Sequence, residues 1–152
     1  MKDVTITAAS ETDIPELIEL LGVLFSIEQD FTPDTDKQRR GLAALLASSA
    51  GHIAIARDQA ARAVGMATAQ LVISTAEGAP SAWIEDVVVR KDWRGHGLGR
   101  ALLDAVLDWA RSQGAVRAQL LADLDNAPAL AFYDRLDWRP TRLGARRLML
   151  DK

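Results

Sequence analysis

The chain has 152 residues, of which 49% are hydrophobic and 26% charged, a composition typical of one globular domain with a substantial core. It contains no cysteine, which excludes disulfides, a cysteine nucleophile and cysteine-ligated metal sites. The net charge of −3 argues against a general nucleic-acid-binding protein, and no apolar run is long enough for a signal peptide or a membrane span, so we expect one cytoplasmic domain over residues 1–152 with no membrane or nucleic-acid partner.

Hydrophobic periodicity predicts a mixture of strands and helices along the chain. Alternating and continuous apolar runs predict strands at 4–7, 53–56, 64–73, 83–89, 116–121, 138–141 and 147–150. Helical spacing of apolar residues predicts helices at 14–25, 35–46, 98–113 and 127–136. Successive strands can pair antiparallel, whereas strand–helix–strand units require crossovers. We therefore expect an α/β fold with a mixed, mostly antiparallel sheet of six or seven strands and about four helices on both faces.

The segment between the fourth strand and the long helix concentrates glycine and positive charge. Gly95, Gly97 and Gly99 allow a tight turn and a close approach of the backbone to a ligand. The first N–H groups of the helix and the helix dipole favour an anion such as a pyrophosphate. The basic residues nearby are Arg90, Lys91, Arg94 and Arg100. The spacing matches neither a P-loop nor a Rossmann turn, and a glycine-rich turn that binds nothing is the alternative.

Three segments, in order, resemble motifs of the GNAT superfamily of N-acetyltransferases. Residues 94–99 resemble its [QR]-x-x-G-x-[GA] loop, residues 84–89 its fourth strand, and residues 126–133 its N-x-x-A-x-x-F-Y segment. The order of predicted elements resembles the family fold across nearly the whole chain. Two departures are Lys91, where members often have proline, and Asp137-Trp138, where they often have Gly-Phe.

The resemblance implies an acyl-CoA N-acyltransferase fold with acetyl-CoA as cosubstrate. Loop and helix-start amides would hold the pyrophosphate of coenzyme A, and the fourth strand would pair with the pantetheine where it separates from the fifth at a bulge. The implied coenzyme contacts are Val87, Val88, Val89, Arg94, Gly95, His96, Gly97, Leu98, Gly99, Arg100 and Asn126. A plain helix N-cap is an equal interpretation of Asn126.

The resemblance also implies catalytic roles for two side chains. Tyr133 would be the general acid for the departing thiolate, since its reference pKa of about 10 lies near the thiol's value of about 8.5. Glu85 is the candidate base for the amine, against a structural charge at a strand end. Because neighbouring strand residues point to opposite faces, at most one of Glu85 and Asp86 should face the cleft. The amide of Val87 is the favoured oxyanion donor.

The acceptor side is expected on the first two helices and their connection, as in the family. The candidate substrate contacts there are Phe25, Glu28 and Phe31, together with Asp86 on the fourth strand. Acids with aromatics suit a cationic or amphiphilic small-molecule amine. The N-terminal amine of a peptide or protein stays open, as does a homodimer, which family members often form.

The alternatives to this interpretation are a metal site, a silent coenzyme A-binding module and a nucleotide-binding protein. The only histidines, His52 and His96, lack metal-ligand spacing with a carboxylate, so no metal is expected. A catalytically silent, regulatory coenzyme A-binding module would bind acetyl-CoA without releasing thiol. A nucleotide-binding protein would use the glycine loop for ATP or NAD.

Overall fold

The computed structural model of the protein describes residues 3–27 and 33–151. Its strands are β1 Thr5–Ala8, β2 Gly51–Arg57, β3 Ala63–Ser74, β4 Ala79–Val89 and β5 Arg117–Leu120. Its α-helices are α1 Ile14–Phe25, α2 Thr35–Ala47, α3 Leu98–Ser112 and α4 Ala127–Arg135. The chain divides into two compact units, residues 1–120 and 121–152, and the sheet belongs to the first unit.

The strands form one sheet in the order β1-β2-β3-β4-β5. The first four strands pair antiparallel with their neighbours, and β5 pairs parallel with β4. The parallel pair is joined by a crossover that contains α3, as a parallel connection requires. The predicted mixed, mostly antiparallel α/β sheet is therefore confirmed.

The predicted number of six or seven strands is wrong, because the described part of the chain forms five. Neither 138–141 nor 147–150 adopts a strand, and residues 139–150 are exposed. Leu148 and Leu150 are 82% and 92% exposed. Short runs with apolar residues, such as Leu148-Met149-Leu150, produce the composition of a strand there. A strand also needs a ladder partner and a buried face, and the structure gives these two segments neither.

Helices α1 and α2 cover one face of the first unit's sheet. Pro15 is tolerated in the first turn of α1, and the N–H of Ser10 donates to Asp13 Oδ2 at 2.8 Å just before it. The buried stripe of α1 packs with Leu42 of α2 and with alternate residues of the central strands. The main members of this core are Leu17, Leu20, Leu21, Leu42, Ile53, Ile55, Met66 and Val88.

Ionic and hydrogen-bonded contacts fasten α1 to the strand ends. Asp13 lies 2.6 Å from the guanidinium of Arg57. Burial raises the pKa of Asp13, but hydrogen bonds from Arg57 and Ser10 outweigh burial and hold it below its usual value. The Glu16 carboxylate accepts from the N–H of Ala63 at 2.8 Å. One turn further along α1, Glu19 lies 2.9 Å from the guanidinium of Arg90. Arg90 also donates to the carbonyl of Ala63 at 2.7 Å.

Helix α3 packs on the opposite face of the same sheet. Its buried residues Leu102, Leu103 and Val106 lie against β2, β3 and β4. Trp109 stacks on His52 of β2 with ring centroids 4.9 Å apart, and burial lowers the pKa of this histidine. Among the described helices, none has the length and apolar character needed to cross a membrane.

The contact between α3 and the sheet predicts an asymmetry between two glycines. A Cβ at Gly65 would lie 2.9 Å from Leu102 Cδ1 and 3.1 Å from the carbonyl oxygen of Val88, whereas one at Gly22, on the exposed side of α1, meets nothing within 4 Å. We expect Gly65→Ala to lower the free energy of unfolding by about 1–3 kcal/mol through overpacking. Gly22→Ala should raise it by about 0.5–1 kcal/mol, because alanine is the better helix former.

Urea unfolding of both variants measures this difference. Equal stability of Gly65→Ala and the wild type would contradict the close approach of α3 to the sheet.

Candidate active site

A β-bulge in β4 is the local feature from which the candidate site is built. Thr68 of β3 opposes Glu85, and Met66 opposes Val88. The single residue between them on β3 therefore faces two residues of β4, Asp86 and Val87. Asp86 has φ 54, a left-handed conformation that aspartate adopts more readily than most residues. Such a backbone state costs on the order of 1–3 kcal/mol and is typical of functional sites.

The bulge brings both carboxylates of the Glu85-Asp86 pair to one side of β4. Both line a cleft of about 530 Å³ on the face covered by α1 and α2. The prediction that only one of them faces the cleft is therefore wrong. Strict alternation holds only while each residue has one partner across the ladder, and the extra residue in β4 breaks that period.

The cleft is lined by a mixture of apolar and charged side chains. Phe25 of α1, a candidate substrate contact, lies in its wall beside Leu42 and Leu45 of α2. Its charged lining residues are Asp34, Lys37, Glu85 and Asp86, three acids against one base. The other two predicted acceptor contacts, Glu28 and Phe31, fall outside the described residues.

The sequence placed the acceptor side on the first two helices but singled out no residue of α2 or β3. Lys37 and Gln38 point into it from α2, and Gln70 lines it from β3. The amide Nε2 of Gln38 is buried without a hydrogen-bond partner in the described ranges. Gln38 fits a solvated helix face in the sequence, so no pattern singles it out. Only the packing of α2 against α1 and β2 reveals its place.

The main chain of β4 changes partners at the bulge. Its parallel pairing with β5 runs from Ser81 to Ile84 and does not continue beyond. The N–H of Arg90 donates to the carbonyl of Val64 at 2.9 Å. Because hydrogen-bonded pairs alternate along an antiparallel ladder, Val88 points its main-chain groups toward β3 and Val89 points its own away. Arg94 Nε donates to the outward carbonyl of Val89 at 3.1 Å.

The glycine loop between β4 and α3 is open to solvent. Gly95 and Gly97 have φ 80 and φ 79, and nothing lies within 4 Å of where a Cβ would be at either residue. Gly97 is the N-cap of α3, and buried Leu98 fixes the first turn against the core. The first N–H groups of a helix have no intrahelical partner, so they are available for an anion.

The basic side chains around this loop differ in whether they are engaged by other protein groups or exposed to solvent. Arg90 is close to the loop in sequence, but its guanidinium forms an ion pair with Glu19 of α1. Arg100 is exposed and lies 3.9 Å from Asp104, a spacing and exposure at which an ion pair contributes little. His96 is exposed within the loop.

Tyr133 and Asn126 belong to the second unit and are described within it. Asn126 Oδ1 accepts from the N–H of Ala129 at 3.2 Å, so it caps α4, as one of its two interpretations predicts. The ring of Tyr133 makes edge contacts with Phe132 and Trp138, with centroids 5.2 and 6.1 Å away. Asp137, which stands where the family often has glycine, has φ 65 and so adopts the left-handed conformation expected there.

The described residues contain no group of three or more histidines and acids that is arranged to hold a metal ion.

Comparison with known proteins identifies a family. The sequence model of the acetyltransferase (GNAT) family matches residues 15–138. The aminoglycoside N(6')-acetyltransferase type 1 of Stenotrophomonas maltophilia is 34% identical over 85 residues, covering 54% of this chain and 56% of that enzyme. N-alpha-acetyltransferase 30 of Schizosaccharomyces pombe is 35% identical over 54 residues, covering 36% of each chain. The chain thus spans about half, or less, of the length of these curated relatives.

A solved structure is similar over the full length. An acetyltransferase from Trypanosoma brucei superposes with a TM-score of 0.73 at 28% identity, covering 99% of this chain and 100% of that one.

The left-handed backbone at Asp86 predicts an unusual order of stability. Asp86→Gly and Asp86→Ala both remove the carboxylate, but only alanine keeps a Cβ at φ 54. We expect Asp86→Ala to be less stable than Asp86→Gly by about 1–2 kcal/mol. Urea unfolding of the pair measures the difference. The opposite order, which holds at ordinary strand positions, would show that the bulge does not form in solution.

Proposed function

Because the chain belongs to the acetyltransferase (GNAT) family, we propose that it is an acetyl-CoA-dependent N-acetyltransferase whose acceptor is a primary amine of a small, cationic molecule. The observation that supports this acceptor class is the acidic cleft beside the β4 bulge, where three carboxylates face one lysine. A cleft lined mainly by one sign of charge concentrates ligands of the opposite sign.

The loop and the outward edge of β4 fit a coenzyme with a diphosphate and an amide-bearing arm. The space beside Gly95 and Gly97 is open, and the first N–H groups of α3 lie next to it. An anion at this position gains both hydrogen bonds and the favourable end of the helix dipole. The main chain of Val89 points away from β3, the orientation needed to pair with the arm as an added strand would. Bound acetyl-CoA would supply the thioester.

Acetyl transfer then requires one bond to form, one to break and two protons to move. In a ternary complex the amine nitrogen bonds to the thioester carbon, and the carbon–sulfur bond breaks. A carboxylate of the Glu85-Asp86 pair accepts the proton that the amine loses. The phenol of Tyr133 donates a proton to the departing thiolate, and its reference pKa of about 10 lies close enough to that of a thiol for this transfer. A main-chain N–H of β4, that of Val87, serves the oxyanion.

Two kinds of acceptor are represented among the relatives. The Stenotrophomonas relative is named for aminoglycosides, which carry several amines, and the fission-yeast relative for N-alpha acetylation. The charge of the cleft favours the small, multiply cationic acceptor. A peptide N-terminus brings one amine and an extended main chain, and a site for it would need main-chain partners as well as carboxylates.

A thiol-release assay with an amine panel tests the proposed function. The panel contains aminoglycosides, linear diamines, neutral monoamines of similar size and a peptide with a free N-terminus. We expect release of coenzyme A with the multiply cationic amines, and a KM for them that rises with salt because screening weakens the attraction. Turnover of the peptide alone would show that the acceptor is a peptide N-terminus and not a small cationic amine. Binding of acetyl-CoA without release for any amine would indicate a silent module instead.

Removal of one hydroxyl tests the proposed acid. We expect Tyr133→Phe to lower kcat by about 10²–10⁴-fold, since general acid catalysis contributes about that much. The KM for acetyl-CoA should change little because the ring is kept. Phe132→Leu, which alters the neighbouring ring contact, serves as the packing control. An unchanged kcat in a folded Tyr133→Phe variant would remove this role.

A further inference from the structure

We propose that Thr68 is a positioning residue that holds the carboxylate of Asp86 in its ionised, amine-facing arrangement in the acceptor cleft. The proposal rests on the proposed function for its chemistry. Its structural part rests on a buried hydroxyl behind the bulge.

Thr68 stands out because it places a hydroxyl in the core. It is 1% exposed, and its strand neighbours Ala67 and Ala69 are fully buried as well. Burying a hydroxyl costs free energy unless a hydrogen bond compensates, whereas valine has the same branched shape without that cost. A threonine here needs a reason other than packing.

The reason lies in the two acceptors that surround its oxygen. Thr68 Oγ1 is 3.0 Å from the carbonyl oxygen of Glu85 and 3.3 Å from Asp86 Oδ2. The hydroxyl has one hydrogen, so it donates to one of these acceptors at a time. The hydroxyl therefore contacts the main chain just before the bulge, at Glu85, and the side chain of the bulge residue Asp86.

This arrangement couples the hydroxyl to the charge of Asp86. A hydrogen bond to an ionised carboxylate is about twice as strong as one between neutral groups, so an ionised Asp86 attracts the Thr68 hydrogen. When Asp86 is protonated, the carbonyl of Glu85 is the better acceptor. Thr68 thus stabilises the ionised state, which is the state that binds a cationic amine and accepts its proton.

Within residues 3–27 and 33–151, three other charged side chains line the same cleft as Asp86. Asp34 before α2 and Glu85 of β4 oppose its ionisation, and Lys37 of α2 favours it. The threonine differs from these three groups because it is uncharged and only 1% exposed, so its hydrogen bond is shielded from solvent.

Thr68→Val and Thr68→Ser form a matched pair for the test. The ¹³Cγ shift of Asp86, assigned with Asp86→Asn, is followed against pH in the wild type and both variants. We expect the titration midpoint to move to higher pH in Thr68→Val and to stay near the wild-type value in Thr68→Ser. A midpoint that is unchanged in Thr68→Val would overturn the proposal. A shift of equal size in Thr68→Ser would do the same, because it would trace the effect to the lost methyl group.

Kinetics with the amine identified by the panel add a second readout. A hydrogen bond to a charged group corresponds to about a tenfold to hundredfold effect, so kcat/KM for the amine should fall by that factor in Thr68→Val at acidic pH. The acid limb of its pH profile should move to higher pH, and the KM for acetyl-CoA should stay constant. An unshifted acid limb would overturn the proposal.

The two readouts separate failure of the inference from failure of the proposed function. Absence of thiol release in the wild type refutes the function, while the NMR titration still decides the role of Thr68. If Thr68→Val does not fold, Thr68→Ala removes the same hydroxyl and replaces it in both experiments.

Discussion

One extra residue in β4 is the constraint on which the site depends. Between Glu85 and Val88 the strand has two residues where β3 has one. That insertion turns two consecutive carboxylates toward the cleft. The pairing with β5 ends immediately before it, at Ile84. The paired carboxylates of the cleft and the outward-facing strand edge therefore arise from the same local distortion, and a regular ladder at this position would remove both.

The elements on both sides hold the distorted strand in place. Met66 and Val88 join the core under α1 and α2, directly after the bulge. Arg90, the first residue beyond β4, is tied to α1 through Glu19 and to β3 through the carbonyl of Ala63. Because the glycine loop follows within a few residues, the clamp on Arg90 also fixes where that loop begins. Arg90 thus serves the scaffold, and the first N–H groups of α3 are the feature beside the loop that favours an anion independently of it.

The sequence predicts the periodic parts of the structure well and the aperiodic parts poorly. The amphipathic stripe and its glycine flanks place α3 almost to the residue, since helical period and capping chemistry are local properties. Only the family resemblance predicts the bulge, because Ile84 to Val89 has the composition of a strand with or without an extra residue. Lys37 and Gln38 line the cleft because of the way α2 packs, and no local sequence pattern encodes that packing. The two closing strands are predicted from local composition alone, and composition does not create a partner for the ladder.

The residues at the bulge also run against what stability alone would select. At φ 54 glycine would relieve the strain that Asp86 bears, and at a site as buried as that of Thr68 valine would avoid burying a hydroxyl. Each residue is the less stable choice by itself, and the two lie within hydrogen-bond distance of each other. Local conflicts of this kind concentrate where a protein does chemistry, because a strained backbone persists only when its surroundings over-determine it. The hydroxyl beside the strained aspartate supplies one such contact, so the threonine and the aspartate are best explained as one unit of the proposed acceptor site.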